Sequence, residues 1–94
     1  MQKEYIPIEE VFVYKIALEL CDLGWVMYDV LDWRDKKTMG DQFIRAVDSN
    51  AANIVEGYGR YHFLDRIKFY YNARASLMES KHWCELLYKR NKII

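Results

Sequence analysis

Residues that interrupt helices are scarce in this chain of 94 residues, which contains one proline and four glycines. It has only two cysteines, Cys21 and Cys84, and no Cys-x-x-Cys pair. This pattern excludes a cysteine-rich zinc motif and a dense disulfide framework. Both cysteines lie within apolar helical patterns, so we predict that they are reduced core residues of a cytoplasmic protein.

The chain also lacks a long apolar run and a net charge. No stretch of about 18 uncharged apolar residues occurs, so we predict no membrane span. The N-terminal segment MQKEYIPIEE lacks the apolar core of a signal peptide. Lys and Arg number 14, and Asp and Glu also number 14. A dedicated nucleic-acid binder is normally clearly basic, and this balance argues against that class.

The charges are unevenly distributed along the chain. From Met1 to Asp32 there are two bases and seven acids, whereas from Trp33 to Ile94 there are twelve bases and seven acids. One interpretation is charge complementarity between the helices of a bundle. The other is a basic face on the later helices that meets phosphate.

Apolar and aromatic residues are abundant. They make up 52% and 16% of the chain, respectively, which is too rich for disorder. We predict a single domain over residues 1–94. Because so short a chain can bury only part of its apolar surface, the excess predicts a subunit interface.

The first apolar pattern predicts a helix from Pro7, which suits a first helical turn, to about Trp33. Its polar side chains Lys15, Glu19, Asp22 and Asp29 share one stripe, and nearly all others are apolar. A helix with so narrow a polar stripe is contacted on more than one side. Gly24 in its middle predicts close approach of a neighbouring helix.

A second helix is predicted after a short solvated connection at residues 34–37. Thr38 is the predicted N-cap, with Asp41 in the capping-box position. The helix runs through small residues such as Ala46 and Ala51 to Gly57. We predict that Gly57 forms a left-handed C-cap and that Gly59 continues the turn.

A third helix is predicted from His62 or Phe63 to about Lys89. Its predicted apolar face consists of Phe63, Ile67, Tyr70, Leu77, Cys84 and Tyr88. Three long helices joined by short loops predict an all-α, antiparallel up-and-down bundle of the four-helix type, with the fourth helix missing from this chain. Either that helix was lost or other subunits cover the remaining apolar stripe.

Residues of the second and third helices resemble a known family. The matching positions are Gln42, Arg45, Ala46, Ser49, Ala52, Asn53, Ile54, Glu56, Gly57, Gly59 and Arg60 in the second helix, and Phe63, Tyr70, Ala73, Ala75, Ser76, Glu79, Trp83, Glu85, Leu86 and Leu87 in the third. This order resembles bacterial four-helix-bundle proteins related to the 23S rRNA intervening-sequence protein. The resemblance covers roughly Met39 to Lys89.

The resemblance implies a left-handed antiparallel bundle, commonly a homopentamer, with no established biochemical activity. Some distant relatives are strongly basic accessory proteins that bind a reverse transcriptase and RNA, whereas this chain is neutral. Our first hypothesis is therefore a non-catalytic, self-associating scaffold or interaction module. The alternative is an accessory protein that binds RNA or a ribonucleoprotein.

The first candidate site consists of Asn53, Glu56 and Arg60. With Gly57 and Gly59, these residues also form a structural motif at the predicted helix end. The functional interpretation is a polar cluster that holds a ligand or a phosphate. The structural interpretation is that Arg60 pairs with Glu56 or caps open carbonyls, while Asn53 bonds the loop backbone.

Catalytic and metal motifs are weak, and we predict neither an enzyme nor a cofactor. Glu79 and His82 have the Glu-x-x-His spacing of di-iron bundles, but no second copy of the motif accompanies them. The two histidines, His62 and His82, lie twenty residues apart, about 30 Å along one helix. Ser49, Ser76 and Ser80 have no convincing base at helical reach, so a catalytic triad could only be completed by another subunit.

Possible nucleic-acid contacts are Arg60, Arg66, Lys68 and Arg74, which alternate with aromatic residues. Phosphate contact and base stacking together would suit single-stranded RNA. The alternative is that the aromatic residues pack in the core or in an interface.

Overall fold

Helices make up nearly all of the protein in a computed structural model that describes residues 6–93. The three long helices are α1 (Phe12–Asp29), α3 (Asp41–Gly59) and α4 (Phe63–Lys89). The described residues contain no β-strand, so the all-α prediction is confirmed.

Short helical elements precede and join the long helices. A 3-10 turn covers Ile8–Glu10, and Pro7 caps it instead of beginning α1. The three-residue helix α2 (Trp33–Asp35) leads into a π-helical turn, Lys36–Gly40, which continues directly into α3. The prediction of one unbroken helix from Pro7 to Trp33 is therefore wrong at both ends.

Helix α3 lies at the centre of the fold. It packs extensively against α4 and against α1, whereas α1 and α4 hardly touch each other. Tyr28 of α1 meets Asp41 of α3, and Gly24 lies against Val47, so α1 runs antiparallel to α3. Because α4 returns along α3 after the short turn at residues 60–62, α1 and α4 are parallel.

The core consists of two buried clusters along α3. The first contains Leu31, Met39, Phe43, Val47 and Leu87. The second contains Ala17, Ala51, Ile54 and Ala73. Since small side chains dominate the second cluster, the helices approach closely there.

Gly24 marks another close approach between α1 and α3. A Cβ atom at this position would lie 3.1 Å from Cγ1 of Val47. The glycine is buried within α1, as the sequence pattern predicted. Close helix packing therefore explains a residue that lowers intrinsic helix stability.

The predicted solvated connection at residues 34–37 is wrong, because these residues are helical. Asp32 is the N-cap, and its carboxylate accepts a hydrogen bond from the backbone N–H of Asp35 at 2.8 Å. Thr38 is not a cap; its hydroxyl donates to the carbonyl oxygen of Arg34 at 3.0 Å. Because Asp32 caps the helix at this earlier position, the helix begins before Thr38 and not at it.

The predicted left-handed cap at Gly57 is also wrong. No glycine among the described residues has a positive φ. Helix α3 continues through Gly57 to Gly59 and ends as Arg60 becomes extended, with φ −78° and ψ 137°. A Cβ atom at Gly57 would lie only 2.6 Å from Cε1 of Tyr70, so this glycine permits close packing of α4.

Helix α4 begins and ends where the sequence predicted. At its C-terminus Asn91 has φ 59°, and the backbone N–H of Lys92 bonds the carbonyl oxygen of Leu87 at 2.8 Å. This is the Schellman arrangement, in which asparagine can replace glycine. It turns the chain so that Ile93 packs against the core.

Candidate interaction surface

Large apolar side chains are exposed along α1. Phe12, Leu23, Val26 and Val30 have exposed fractions between 63% and 76%. Their spacing of three to four residues, or a multiple of it, places them on one side of the helix. Nothing within the described chain covers this side, which makes it a candidate contact surface.

Helix α4 also exposes apolar side chains. The most exposed are Phe63, Leu64, Tyr71, Met78 and Tyr88. The predicted apolar face that began at Phe63 is therefore not the buried face. Small Ala73 and Ser80, together with Leu87, are the buried residues, because close packing against α3 favours small side chains at that seam.

A groove of about 750 Å³ lies between α1 and α4. Leu20 and Met27 form its α1 wall, Leu77 and Cys84 form its α4 wall, and Phe43 of α3 also lines it. The lining is almost entirely apolar. The groove arises because α1 and α4 pack on α3 but not on each other.

The charges of α1 and α4 do not meet within the chain. The ion pairs found among residues 6–93 are Lys37–Asp41, Arg60–Glu56 and Lys92–Asp35. None of them joins α1 to α4. Between these two helices, the charge complementarity that the sequence suggested is absent from the described fold.

Glu56 and Arg60 form the ion pair that the structural interpretation predicted. Nη2 of Arg60 lies 2.8 Å from Oε2 of Glu56, and its guanidinium also lies over the ring of Phe69 at 4.6 Å. Asn53 does not bond the loop backbone as predicted; its amide donates to the carbonyl oxygen of Ser49 at 2.9 Å. Gly59 has open space around it.

The four predicted nucleic-acid contacts have different environments. Nε of Arg66 donates to the carbonyl oxygen of Arg60 at 2.5 Å, so both arginines make contacts within the chain. Lys68 and Arg74 are exposed. Since they are six residues apart on one helix, they point to different sides of it.

The residues of the weak catalytic motifs have structural contacts. Oε2 of Glu79 accepts a hydrogen bond from the indole N–H of Trp83 at 3.2 Å, and the His82 ring meets that indole edge-on. Within residues 6–93, no group of three or more His, Cys, Asp or Glu side chains could hold a metal ion.

Asn50 is a buried polar residue that was not among the sequence-predicted sites. Its amide donates to the carbonyl oxygen of Ala73 at 2.8 Å and so links α3 to α4. The sequence did contain a signal for this bond, since Asn50 lies on the apolar side of the second helical pattern. A buried amide there requires a hydrogen-bond partner on a neighbouring helix.

Four titratable groups have pKa values shifted by their surroundings: the Cys21 and Cys84 thiols, the Tyr28 hydroxyl and the Asp41 carboxyl. Burial is the main reason that the pKa of Cys21 rises to about 11, and burial also raises the pKa of Cys84. Both thiols are free, and they are half-buried beside the core instead of buried within it as predicted. The Tyr28 hydroxyl donates to the Asp41 carboxylate at 2.5 Å, which lowers the pKa of Asp41.

Residues 9–94 match the sequence pattern of one protein family, which is described as 23S rRNA-intervening sequence protein. This match spans all three long helices. The chain belongs to the 23S rRNA-intervening sequence protein family. No curated protein and no solved structure shows significant similarity to it. The suspected resemblance is thereby confirmed, and it extends to α1 beyond the region from Met39 to Lys89 that suggested it.

Within this family member, no helix among residues 6–93 has the length and apolar character that crossing a bilayer requires. The surface that the fold leaves without a partner lies on α1, on α4 and in the groove between them. It is apolar along its length and has charged side chains beside the apolar ones. Such a surface suits contact with another macromolecule.

Proposed function

We propose that this family member is a non-catalytic helical bundle that self-associates and acts as a cytoplasmic scaffold or interaction module. The observation that supports this proposal is the row of exposed apolar side chains on α1 and α4. Small soluble domains rarely leave contiguous apolar patches uncovered, and a second copy is the simplest cover.

The size of these exposed side chains provides the driving force for self-association. Fully burying one Leu, Val or Met contributes about 1.5–3 kcal/mol. Leu23 is 63% exposed, Leu64 is 78% exposed and Met78 is 62% exposed. Several such side chains together offset the loss of translational and rotational freedom on association.

Self-association is tested by sedimentation velocity across a concentration series. We expect the wild-type protein to be oligomeric at about 50 µM. Replacing Leu23 and Met78 by Ser should weaken association by at least about tenfold, since two apolar anchors are lost. Val55 on α3 is exposed but lies on another helix, so Val55→Ser is the matched control.

A monomeric wild-type protein at this concentration would exclude the proposal. An oligomer that is unaffected by the Leu23 and Met78 changes but lost in Val55→Ser would place the contact on α3 instead.

RNA binding is the second candidate, favoured by the exposed bases Lys68 and Arg74 on two sides of α4 and by the exposed rings of Tyr70 and Tyr71 between them in the sequence. If α4 contacts phosphate, Lys68→Ala and Arg74→Ala should each weaken binding to single-stranded RNA. Each should also reduce the salt dependence of log K by a slope of about one. Lys15→Ala on α1 is the control, and RNA affinity that is equal in all variants would exclude α4 as the contact.

A further inference from the structure

Opposite charges flank the exposed apolar residues of α1 and α4. We propose that α1 of one copy binds α4 of another copy, so that the two contacting surfaces are different and charge-complementary. This inference rests on the proposed self-association and specifies which surfaces meet.

The acidic face of α1 consists of Glu19, Asp22 and Asp29 with Leu23 and Val26 beside them. All five side chains are exposed. The acids recur at spacings of three and seven residues, which keeps them along one side of the helix. No ion pair with a described residue involves any of them, so their charges are available to a partner.

The basic face of α4 consists of Arg74 and Lys81 with Leu77 and Met78 between them. All four are exposed, and the two bases are seven residues apart on the same side of the helix. Neither base forms an ion pair with a described residue. Glu85, four residues after Lys81 on the same side of the helix, is also exposed and lines the groove together with Lys81.

The charge balance of each helix supports contact between unlike faces. Helix α1 has three acids and the single base Lys15, whereas α4 has five bases and three acids. Two α1 helices, or two α4 helices, would bring like charges together. An α1 helix against an α4 helix pairs opposite charges next to apolar side chains on both surfaces.

The fold prevents this pairing within one chain. Both α1 and α4 pack on α3, and the apolar groove separates them. A second copy can supply the missing partner to each helix. Each copy then has one α1 face and one α4 face. Two copies can make both α1–α4 contacts across a two-fold axis, or successive copies can join head to tail in a ring or filament.

The test uses two charge-reversed proteins, D22K/D29K on α1 and R74E/K81E on α4. Circular dichroism and thermal melting first establish that each variant is folded. Sedimentation then gives the association constant of each protein at low and at high salt. Arg45 lies exposed on α3, outside both faces, so Arg45→Glu is the control for a change in charge alone.

We expect each double variant to associate at least about tenfold more weakly than the wild type at low salt. The quadruple variant D22K/D29K/R74E/K81E should recover wild-type association, because its two faces are again opposite in charge. It should not co-assemble with the wild type. High salt should reduce all of these differences, since it screens exposed charges.

Other outcomes distinguish a failure of the α1–α4 contact from a failure of self-association. If the wild type is an oligomer but both double variants associate as tightly as it does, like faces or other surfaces meet, and this inference is wrong while self-association stands. If the quadruple variant stays as weak as the double variants, α1 and α4 do not contact each other. A monomeric wild type would overturn both proposals.

Discussion

Leu87→Ala is expected to lower the free energy of unfolding by about 2–5 kcal/mol, since truncating a fully buried leucine leaves a cavity. Leu87 is completely buried and packs with Leu31, Met39, Phe43 and Val47. It therefore joins α4 to the centre of the fold. Urea unfolding followed by circular dichroism at low protein concentration measures the change.

Leu64→Ala is the matched control for Leu87→Ala, because it removes the same atoms from the same helix. Leu64 is 78% exposed, so we expect its change to stay within about 0.5 kcal/mol. Equal losses for the two variants would mean that Leu87 does not occupy the packed core.

Gly57→Val is expected to destabilise the fold by about 1–3 kcal/mol, the usual cost of overpacking. A Cβ atom there would lie 2.6 Å from Cε1 of Tyr70 and 3.2 Å from the backbone oxygen of Arg66. The ring can move, but the Arg66 carbonyl belongs to the backbone of α4. The two helices must therefore separate locally, and chemical denaturation of both proteins measures the cost.

Gly59→Ala is the control for Gly57→Val, because a Cβ atom at Gly59 meets nothing within 4 Å. We expect it to be neutral or to stabilise the helix by up to about 1 kcal/mol. Adding Tyr70→Ala should recover part of the Gly57→Val loss, since the contacting ring is then absent. Strictly additive losses would contradict a contact between Gly57 and Tyr70.

The sequence predicted the helices better than it predicted their ends. The long apolar periods predicted three helices correctly. Gly24 correctly predicted a close helix approach, because no other turn-forming residue lies beside it and a helix end was therefore not indicated. Residues 34–37 were misassigned because four charged residues resemble a loop. Asp35 is instead buried beside Lys92, 3.4 Å away, a contact that no local pattern shows.

Gly57 shows why glycine patterns are ambiguous. A glycine near a predicted helix end suits either a left-handed cap or close packing, and only the position of Tyr70 on another helix distinguishes the two. The same limit applies to α4, where the largest apolar side chains predicted the wrong buried face. Packing against α3 selected Ala73 and Ser80, because a narrow seam excludes large residues.

The uneven distribution of charge along the chain is a property of the sequence, whereas the positions of the charged side chains depend on the fold. Charge complementarity and a phosphate-binding face were both compatible with the sequence. The fold adds that Arg60 and Arg66 make contacts within the chain, whereas Arg74 and Lys81 do not form ion pairs with described residues. Such positions depend on how the helices are arranged around α3.

The central position of α3 also has a consequence for folding kinetics. Each of its two large interfaces joins long helices that are neighbours in the chain, the topology of helical bundles, whose many local contacts keep the contact order low. Such low contact order is typical of proteins that fold in microseconds to milliseconds. The Asp35–Lys92 contact spans the entire α3–α4 hairpin, so closing it costs more chain entropy before that hairpin has formed than afterwards.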